Sequence, residues 1–525
     1  MDSNLGPSEG GRQYLRRPSI LPRIEDSLSE EEEGALKRDI IWGGRRRWNE
    51  DDALNTRIID DGRPRLDQDA WNLTPSQSAT TSYAPSMANS SNPLYPVKPF
   101  APSVVNEDES DNKSGISKYT YYSDLDAEKF IRKIEGRAYN VLNDTYFLPT
   151  DEDEWTRLNK QHLAFMVALG ELYPEPQVVR AVLAPAPTGE RKRILDLGTG
   201  TGVWATTMAH NFPEVDVVGI DLAPVPLDLE SVPSNCCFEI DDINLGLEHF
   251  RDSFDLIHAR LIGSGLKDFQ KTLQDVHACL RPGGLILWVD VDYDMYMGDE
   301  PTYAPFALEE DELRPTQNQR SWTQRVVYEL RRGAVGTGRS DLFTMATRLD
   351  EGLWDDPMLD PDTCRTASLY LPLGPWVQGT TDGQTQRLKY VGSLMRQDTV
   401  SFQRASQAVM KKLGWNSQRV EKWCQLAENE LMTMDTKLWA RIRYAWGRRR
   451  GADGSAPSLP PSPKYSPELG SEAAHISPWP YYFIYTTREQ ALREMQRRNE
   501  GKDITPPPGP DIRNAGARAP EPEEK

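Results

Sequence analysis

Three glycines alternate with other residues in the stretch RILDLGTGTGVW, which covers residues 193–204. A short apolar run precedes them, and Asp196 lies two residues before the first glycine. Glycines between a first strand and a first helix let the backbone approach a ligand closely, so this loop is a candidate ligand-binding turn. The loop residues that we expect to contact the ligand are Gly198, Thr199, Gly200 and Gly202.

The class of ligand follows from what this loop has and what it lacks. A phosphate-binding P-loop requires a lysine after its last glycine, and no lysine follows Gly202. A nicotinamide-dinucleotide turn has the spacing G-x-G-x-x-G, whereas the third glycine here comes one residue early. The carboxylate of Asp196 would repel a pyrophosphate and attract a ligand that carries an ammonium and a sulfonium group. These features favour S-adenosylmethionine, with Asp196 among the residues that bind it.

Two carboxylates that follow the second and third predicted strands could bind the nucleoside. Asp221 ends the strand in VVGIDLAP, where it can accept hydrogen bonds from both ribose hydroxyls, and Leu222 follows it. Enzymes that bind nicotinamide dinucleotides share this feature, so Asp221 alone does not discriminate between the cofactors. Asp242 can accept from an adenine amino group while Ile243 packs on the ring. The alternative for each carboxylate is a structural role as a turn or cap.

Methyl transfer depends mainly on positioning the acceptor, and a general base typically adds about 10²–10⁴-fold to the rate. The candidate bases are His258, at the end of the fourth predicted strand beside the expected sulfonium, and Asp290. The alternative for His258 is a hydrogen-bonded structural role. Arg260 either binds an acidic acceptor or pairs with a carboxylate, and His162 and Trp204 are more typical of packing.

Short apolar runs alternate with helical patterns through the middle of the chain. Strands are predicted at 193–197, 215–221, 236–241, 253–260 and 284–291, and helices at 201–212 and 267–281. Continuous apolar strands that alternate with helices predict a parallel sheet covered on both faces, which is the open, doubly wound α/β architecture. Two helices are predicted before this core, at 124–142 and within 148–169, the second capped by Thr150 or Asp151.

The composition predicts one large folded domain between disordered flanks. Only 38% of the 525 residues are hydrophobic, 40 are proline, and the mean hydropathy is -0.64. A net charge of -19 disfavours direct nucleic-acid binding, and no apolar run approaches the roughly 20 residues of a membrane span. The polar N-terminus lacks a signal peptide's apolar region, and five scattered cysteines have no metal-ligand spacing. We therefore expect reduced thiols, no metal site, and a nuclear or cytoplasmic protein.

Several motifs, in this order and spacing, resemble those of class I S-adenosylmethionine-dependent methyltransferases. They are DLGTGTG, GIDLAP, DDIN, FDLIHAR and LRPGGLILWV. Further stretches resemble the fungal LaeA-like methyltransferases across roughly 119–450, namely GRAYN, LPTDEDEWTRLNKQH, LPLGPW and the terminal WGRR. The resemblance implies a Rossmann-like sheet of seven strands whose last strand is antiparallel and inserted as a hairpin. RTASLYL at 365–371 and LWARIRYAW at 438–446 are the candidates for that pair.

The chain departs from the family's pattern at the acceptor site. The family often has a glutamate on the fifth strand, where this chain has WVDVDYD, and a histidine before the last strand, where this chain has none. Either Asp290 or Asp292 replaces the glutamate, or the acceptor site differs. The departure weakens any assignment of acceptor residues and leaves the cofactor loop unaffected.

The organisation and function expected from these observations are as follows. A disordered, acidic and Ser/Pro-rich tail at 1–118 precedes a methyltransferase domain at 119–450, with its core at about 190–295 and helical and strand elements at 300–450. A Pro-rich tail at 451–525 includes a segment at 478–498 that docks on the domain or on a partner. The expected activity is methyl transfer to a small-molecule or protein acceptor, in fungal secondary metabolism or its regulation. The alternative is a cofactor-binding scaffold in a nuclear complex with little or no turnover, and the tails are the expected contacts for protein partners.

Overall fold

The computed structural model describes residues 127–134, 136–228, 231–309, 320–336, 340–451, 453–455, 457, 479–500 and 502. The predictions for the tails at 1–118, 458–478 and 503–525 lie outside the described residues.

A β-hairpin lies where the first helix was predicted, so that prediction is wrong. Strands β1 (Ile131–Ile134) and β2 (Arg137–Asn140) pair antiparallel across a turn at Gly136, whose φ is 82°. A residue with positive φ interrupts a helix, and glycine adopts this conformation readily. The second predicted helix is α1 (Glu152–Leu169), and its cap is Asp151, which accepts a hydrogen bond from the Glu154 amide.

The predicted parallel core is confirmed. Its strands are β3 (Lys192–Leu197), β4 (Val215–Asp221), β5 (Cys236–Ile240), β6 (Phe254–Arg260) and β7 (Leu280–Met297). The helices of this region are α2 (Pro176–Val182), α3 (Val203–Asn211) and α4 (Phe269–Cys279). β3 pairs in parallel with β4 and β6, β4 with β5, and β6 with β7. Consecutive residues of β4 and β6 are buried, so both faces of the sheet are covered.

The inserted antiparallel strand is also present, formed by the two stretches predicted for it. β9 (Leu359–Pro372) and β10 (Leu438–Arg449) pair antiparallel, and β10 lies between β9 and β7, antiparallel to both. Two further strands extend the sheet beyond the expected seven. β8 (Thr302–Tyr303) pairs with the end of β7, and β11 (Tyr482–Tyr485) pairs antiparallel with β9 at the edge.

The remaining helices surround this sheet. They are α5 (Trp322–Gly336), α6 (Leu342–Glu351), α7 (Asp382–Lys412), α8 (Ser417–Thr433) and α9 (Arg488–Asn499). α1 packs on α7, where Arg157 forms buried ion pairs with Glu154 and Asp398, and α9 packs on α6. Within the described ranges, no helix is long and apolar enough to cross a membrane.

Candidate cofactor and active site

A cleft opens at the carboxyl ends of β3, β4, β5 and β6, where a doubly wound sheet places its ligands. It encloses about 800 Å³, including its solvent-open mouth. The predicted cofactor residues that line it are Gly198, Thr199, Gly200, Asp221, Leu222, Asp242 and Ile243. The predicted residues that do not line it are Asp196, Gly202, His258 and Asp290. Parallel strands end at one edge of the sheet, which is why residues far apart in sequence meet here.

The three loop glycines all have positive φ, but they serve different purposes. At Gly200, with φ 58°, an added Cβ would meet only Leu158, at 3.4 Å, so the space above this backbone is open cleft. At Gly202 the same atom would lie 2.8 Å from the Phe238 ring, and at Gly198 it would lie 2.3 Å from the Ile262 side chain. Gly202 therefore permits close packing of α3 on the sheet, and Gly200 is the glycine that leaves space for a ligand.

Asp221 is tied directly to the glycine loop. Its Oδ2 accepts a hydrogen bond of 2.7 Å from the Gly200 amide, and its Oδ1 accepts one of 3.2 Å from the Ala223 amide. The bond from Ala223 is a turn cap, which is the structural role that the sequence analysis gave as the alternative for Asp221. The side chain is half-buried and also lines the cleft. Burial raises the pKa of Asp221 to about 6, and the backbone hydrogen bonds from Gly200 and Ala223 partly oppose the rise.

Asp242 likewise combines a capping role with a place in the cleft. It caps the short 3₁₀ helix Ile243–Leu245 by accepting from the Asn244 amide at 3.1 Å. The side chains of Asn244 and Asn143 donate to the same oxygen, Oδ1, at 2.7 and 3.3 Å. All three bonds use Oδ1 of Asp242.

Asp196 and His258 form a buried pair behind the cleft wall. Register pairs them on neighbouring parallel strands, and Asp196 Oδ1 lies 2.7 Å from His258 Nδ1. Asp196 Oδ2 accepts from the Thr199 hydroxyl at 2.8 Å, and the His258 ring stacks on Trp204 at 3.8 Å. Burial lowers the pKa of His258, although Asp196 opposes this. His258 is therefore a buried, hydrogen-bonded residue, as in the structural role given as the alternative to a base. Trp204 is buried in the core.

Asp290 lies outside the cleft lining and holds part of its wall. It is only 1% exposed and accepts hydrogen bonds from the amides of Gly263, at 2.9 Å, and Val291, at 2.8 Å. Gly263 begins the turn next to Ile262, which lines the cleft, so Asp290 positions that wall. Asp292 is more remote, because it accepts from Arg441 at 2.9 Å and from Arg443 at 2.5 Å in a buried ion cluster.

The cleft also contains residues that sequence reasoning did not assign. These are Asn143, Tyr146, Leu158, Gln161, Thr201, Ile220, Asp241, Leu261, Ile262 and Gly265. The Asn143 side chain donates to the Gly265 carbonyl at 3.1 Å and thereby fixes the segment after β2 against the cleft. The stretch GRAYN immediately before it was part of the family resemblance, and this was the signal available in the sequence.

Comparison with known proteins agrees with this geometry. The Methyltransf_23 family model, described as "Methyltransferase domain", matches residues 174–327. The "Secondary metabolism regulator laeA" of Coprinopsis cinerea is 31% identical over 338 residues, which are 64% of this chain and 78% of that protein. The chain belongs to the LaeA-like family of S-adenosylmethionine-dependent methyltransferases.

Two other relatives in this comparison are named as methyltransferases. "Methyltransferase pytC" of Aspergillus terreus is 30% identical over 54% of this chain and 78% of that protein. "Protein-methionine methyltransferase laeA" of Emericella nidulans is 34% identical over 35% of this chain and 47% of that protein. The chain thus spans less than half of the Emericella protein's length.

The cleft of this LaeA-like methyltransferase fits its cofactor, S-adenosylmethionine. The space above Gly200 is open, and the carboxylates of Asp221 and Asp242, which line the cleft, are the groups that would hold the ribose and the adenine. When bound, S-adenosylmethionine supplies a methyl group activated by its sulfonium. The chain's own contribution is to bind, to orient and to exclude water, which together account for most of the acceleration of such a displacement.

Affinity for S-adenosylhomocysteine should fall as the pH decreases through about 6, because burial raises the pKa of Asp221 to about 6. Only the ionised carboxylate accepts from both ribose hydroxyls, and below its pKa the bound proton must first be displaced. Calorimetric titration should show the dissociation constant rising roughly tenfold per pH unit below that point. Asp221→Asn should flatten this profile. A wild-type profile that is flat between about pH 5 and 8 would exclude Asp221 as the titrating ligand.

Proposed function

We propose that the chain transfers a methyl group from S-adenosylmethionine to a small-molecule or protein acceptor, in fungal secondary metabolism or its regulation. The observation that carries this proposal is the contact between Gly200 and Asp221. The space above Gly200 is open to a ligand, and the Gly200 amide holds the Asp221 carboxylate beside that space with a 2.7 Å hydrogen bond. The names of the Coprinopsis and Emericella relatives support the metabolic context and a protein acceptor.

The name of the Emericella relative, "Protein-methionine methyltransferase laeA", points to an acceptor that has no proton to lose. Methylation of a thioether sulfur needs no general base: its lone pair forms the new bond to carbon, the bond to the sulfonium sulfur breaks, and no proton is released. Among the described residues that line the cleft there is no histidine, lysine or cysteine, and its carboxylates are Asp221, Asp241 and Asp242. We therefore propose a methionine side chain as the first acceptor to test.

A second candidate function is a cofactor-binding scaffold with little turnover. The observation that favours it is the position of the two predicted bases, since neither His258 nor Asp290 lines the cleft. In this proposal the tails recruit protein partners, in the nucleus rather than the cytoplasm, and the bound cofactor stabilises the domain.

Transfer of labelled methyl groups distinguishes the two functions. The full chain is incubated with methyl-tritiated S-adenosylmethionine and a fungal lysate, and label is followed in protein and small-molecule fractions. We expect label in a specific product, in protein as S-methylmethionine, and none with Gly200→Val. A chain that binds S-adenosylmethionine but labels nothing in either fraction would contradict turnover and favour the scaffold.

A further inference from the structure

Arg260 is a charged side chain in the cleft that no carboxylate neutralises within ion-pair distance, as far as the described residues show. It ends β6, is half-buried, and lines the cleft on the side of the glycine loop. It also lines a second, much smaller cavity of about 10 Å³, whose walls include Phe165, Tyr444 and His258. Arg260 thus lies at the boundary between the cofactor cleft and a cavity that is no larger than one water molecule.

A neutral neighbour holds the guanidinium in this position. Its NH1 donates a hydrogen bond of 3.1 Å to His162 Nδ1, and His162 is 4% exposed. Burial lowers the pKa of His162 well below its usual range, and the charge of Arg260 lowers it further, so the imidazole accepts without sharing the positive charge. The guanidinium carbon also lies 6.0 Å from the centre of the Phe165 ring.

Asp196 is the carboxylate whose negative charge raises the pKa of Arg260, but both of its oxygens already have hydrogen-bond partners. Asp196 uses one oxygen for His258, at 2.7 Å, and the other for Thr199, at 2.8 Å. Burial lowers the pKa of Arg260, because the guanidinium has lost its contacts with water and the neighbouring negative charges do not fully replace them. A ligand anion would provide that compensation, because a planar guanidinium matches a carboxylate with two parallel hydrogen bonds.

We propose that Arg260, positioned by His162, binds a carboxylate group of a ligand in the cleft. The inference rests on the proposed function and deepens it by assigning the anion that this site recognises. Two sources have this chemistry: the aminoacyl tail of S-adenosylmethionine, and a carboxylate on the acceptor. The assignment reverses the expectation from the sequence, in which Asp196 would bind a cation at this end of the cleft.

The first arm of the test compares S-adenosylmethionine with its decarboxylated analogue, which keeps the sulfonium and the amine. Calorimetry on the full chain should show the wild type binding the analogue roughly ten- to a hundredfold more weakly, as expected for a charge-assisted pair. Arg260→Gln should bind the two ligands almost equally. His162→Phe keeps a ring but removes the acceptor of the Arg260 hydrogen bond, and it should shrink the difference in part, whereas a purely structural role would weaken both ligands alike.

The second arm uses 5′-methylthioadenosine, which lacks the aminoacyl tail, titrated with and without acetate. If the acceptor supplies the carboxylate, Arg260→Gln retains the discrimination of the first arm, and acetate strengthens binding of 5′-methylthioadenosine to the wild type alone. If the variant retains the discrimination and acetate has no effect, the assignment is overturned. A wild type that binds none of these nucleosides would instead overturn the proposed function itself.

Arg193 provides a matched control for the loss of a buried charge. It is half-buried on β3, at the opposite end of the strands from the cleft, and burial lowers its pKa as well. Arg193→Gln should leave both arms unchanged, and thermal melting should show that the variants remain folded. Equal changes in the Arg193 and Arg260 variants would show a general effect of lost charge and would contradict a specific contact.

Discussion

Gly200→Val should abolish binding of S-adenosylmethionine and S-adenosylhomocysteine while the domain stays folded. The Cβ of any other residue at this position enters open cleft, with Leu158 at 3.4 Å as its nearest neighbour in the protein, and the branches of valine extend further. The φ of 58° adds strain, which costs a β-branched residue about 1–3 kcal/mol. Relief of this strain would also move the amide that donates to Asp221. Calorimetry should detect affinity lowered at least ~100-fold, about 2.7 kcal/mol.

Gly189→Val is the matched control for backbone strain. Gly189 has a φ of 77°, no atom within 4 Å of an added Cβ, and a position outside the cleft lining. Both variants therefore introduce valine at positive φ, but only the change at Gly200 fills ligand space. We expect similar losses of melting temperature and a loss of binding only for Gly200→Val. Equal loss of binding in both would show that strain alone, rather than occupied space, explains the result.

The predicted site residues that line the cleft are those whose position follows from the strand ends. Gly200, Asp221 and Asp242 each lie at or shortly after the end of a predicted strand, and the strands of a parallel sheet bring their carboxyl ends to one edge. The antiparallel pair of β9 and β10 was found differently: the family resemblance implied an inserted hairpin, and the strand character of 365–371 and 438–446 identified the two stretches.

The predicted site residues that do not line the cleft depend on neighbours that are far away in the sequence. Asp196 also comes near a strand end, but its register partner His258 and the Thr199 hydroxyl satisfy its oxygens beneath the surface. Asn143 contacts Gly265 across 122 residues, and neither residue type predicts that pairing. The hairpin at Gly136 was missed because apolar spacing alone cannot distinguish a short hairpin from a helix interrupted by glycine.

The cleft lining carries charges of both signs. The carboxylates of Asp221, Asp241 and Asp242 line it together with the guanidinium of Arg260. The sequence does not reveal this combination directly, because these side chains meet only where the parallel strands end.

Asp221→Ala should weaken binding of S-adenosylmethionine by roughly ten- to a hundredfold, since hydrogen bonds to a charged acceptor contribute about 1.5–3 kcal/mol each. The side chain lines the cleft, and its amide contacts from Gly200, at 2.7 Å, and Ala223, at 3.2 Å, fix both oxygens in place. If Asp221 instead only caps the turn, the variant should lose thermal stability while the folded fraction keeps its affinity for S-adenosylmethionine. Calorimetry and thermal melting on the same samples separate these outcomes.

The decisive control is the cofactor analogue that lacks the 2′-hydroxyl. The wild type should bind this analogue more weakly than the parent, because one hydrogen bond to the Asp221 carboxylate is lost. Asp221→Ala should barely distinguish the two ligands, since the partner of the missing hydroxyl is absent from the protein already. A variant that discriminates as strongly as the wild type would show that another group binds the 2′-hydroxyl. The ribose contact is therefore assigned to Asp221 by the coupling between the Asp221→Ala substitution and the removal of the 2′-hydroxyl, rather than by the size of either effect alone.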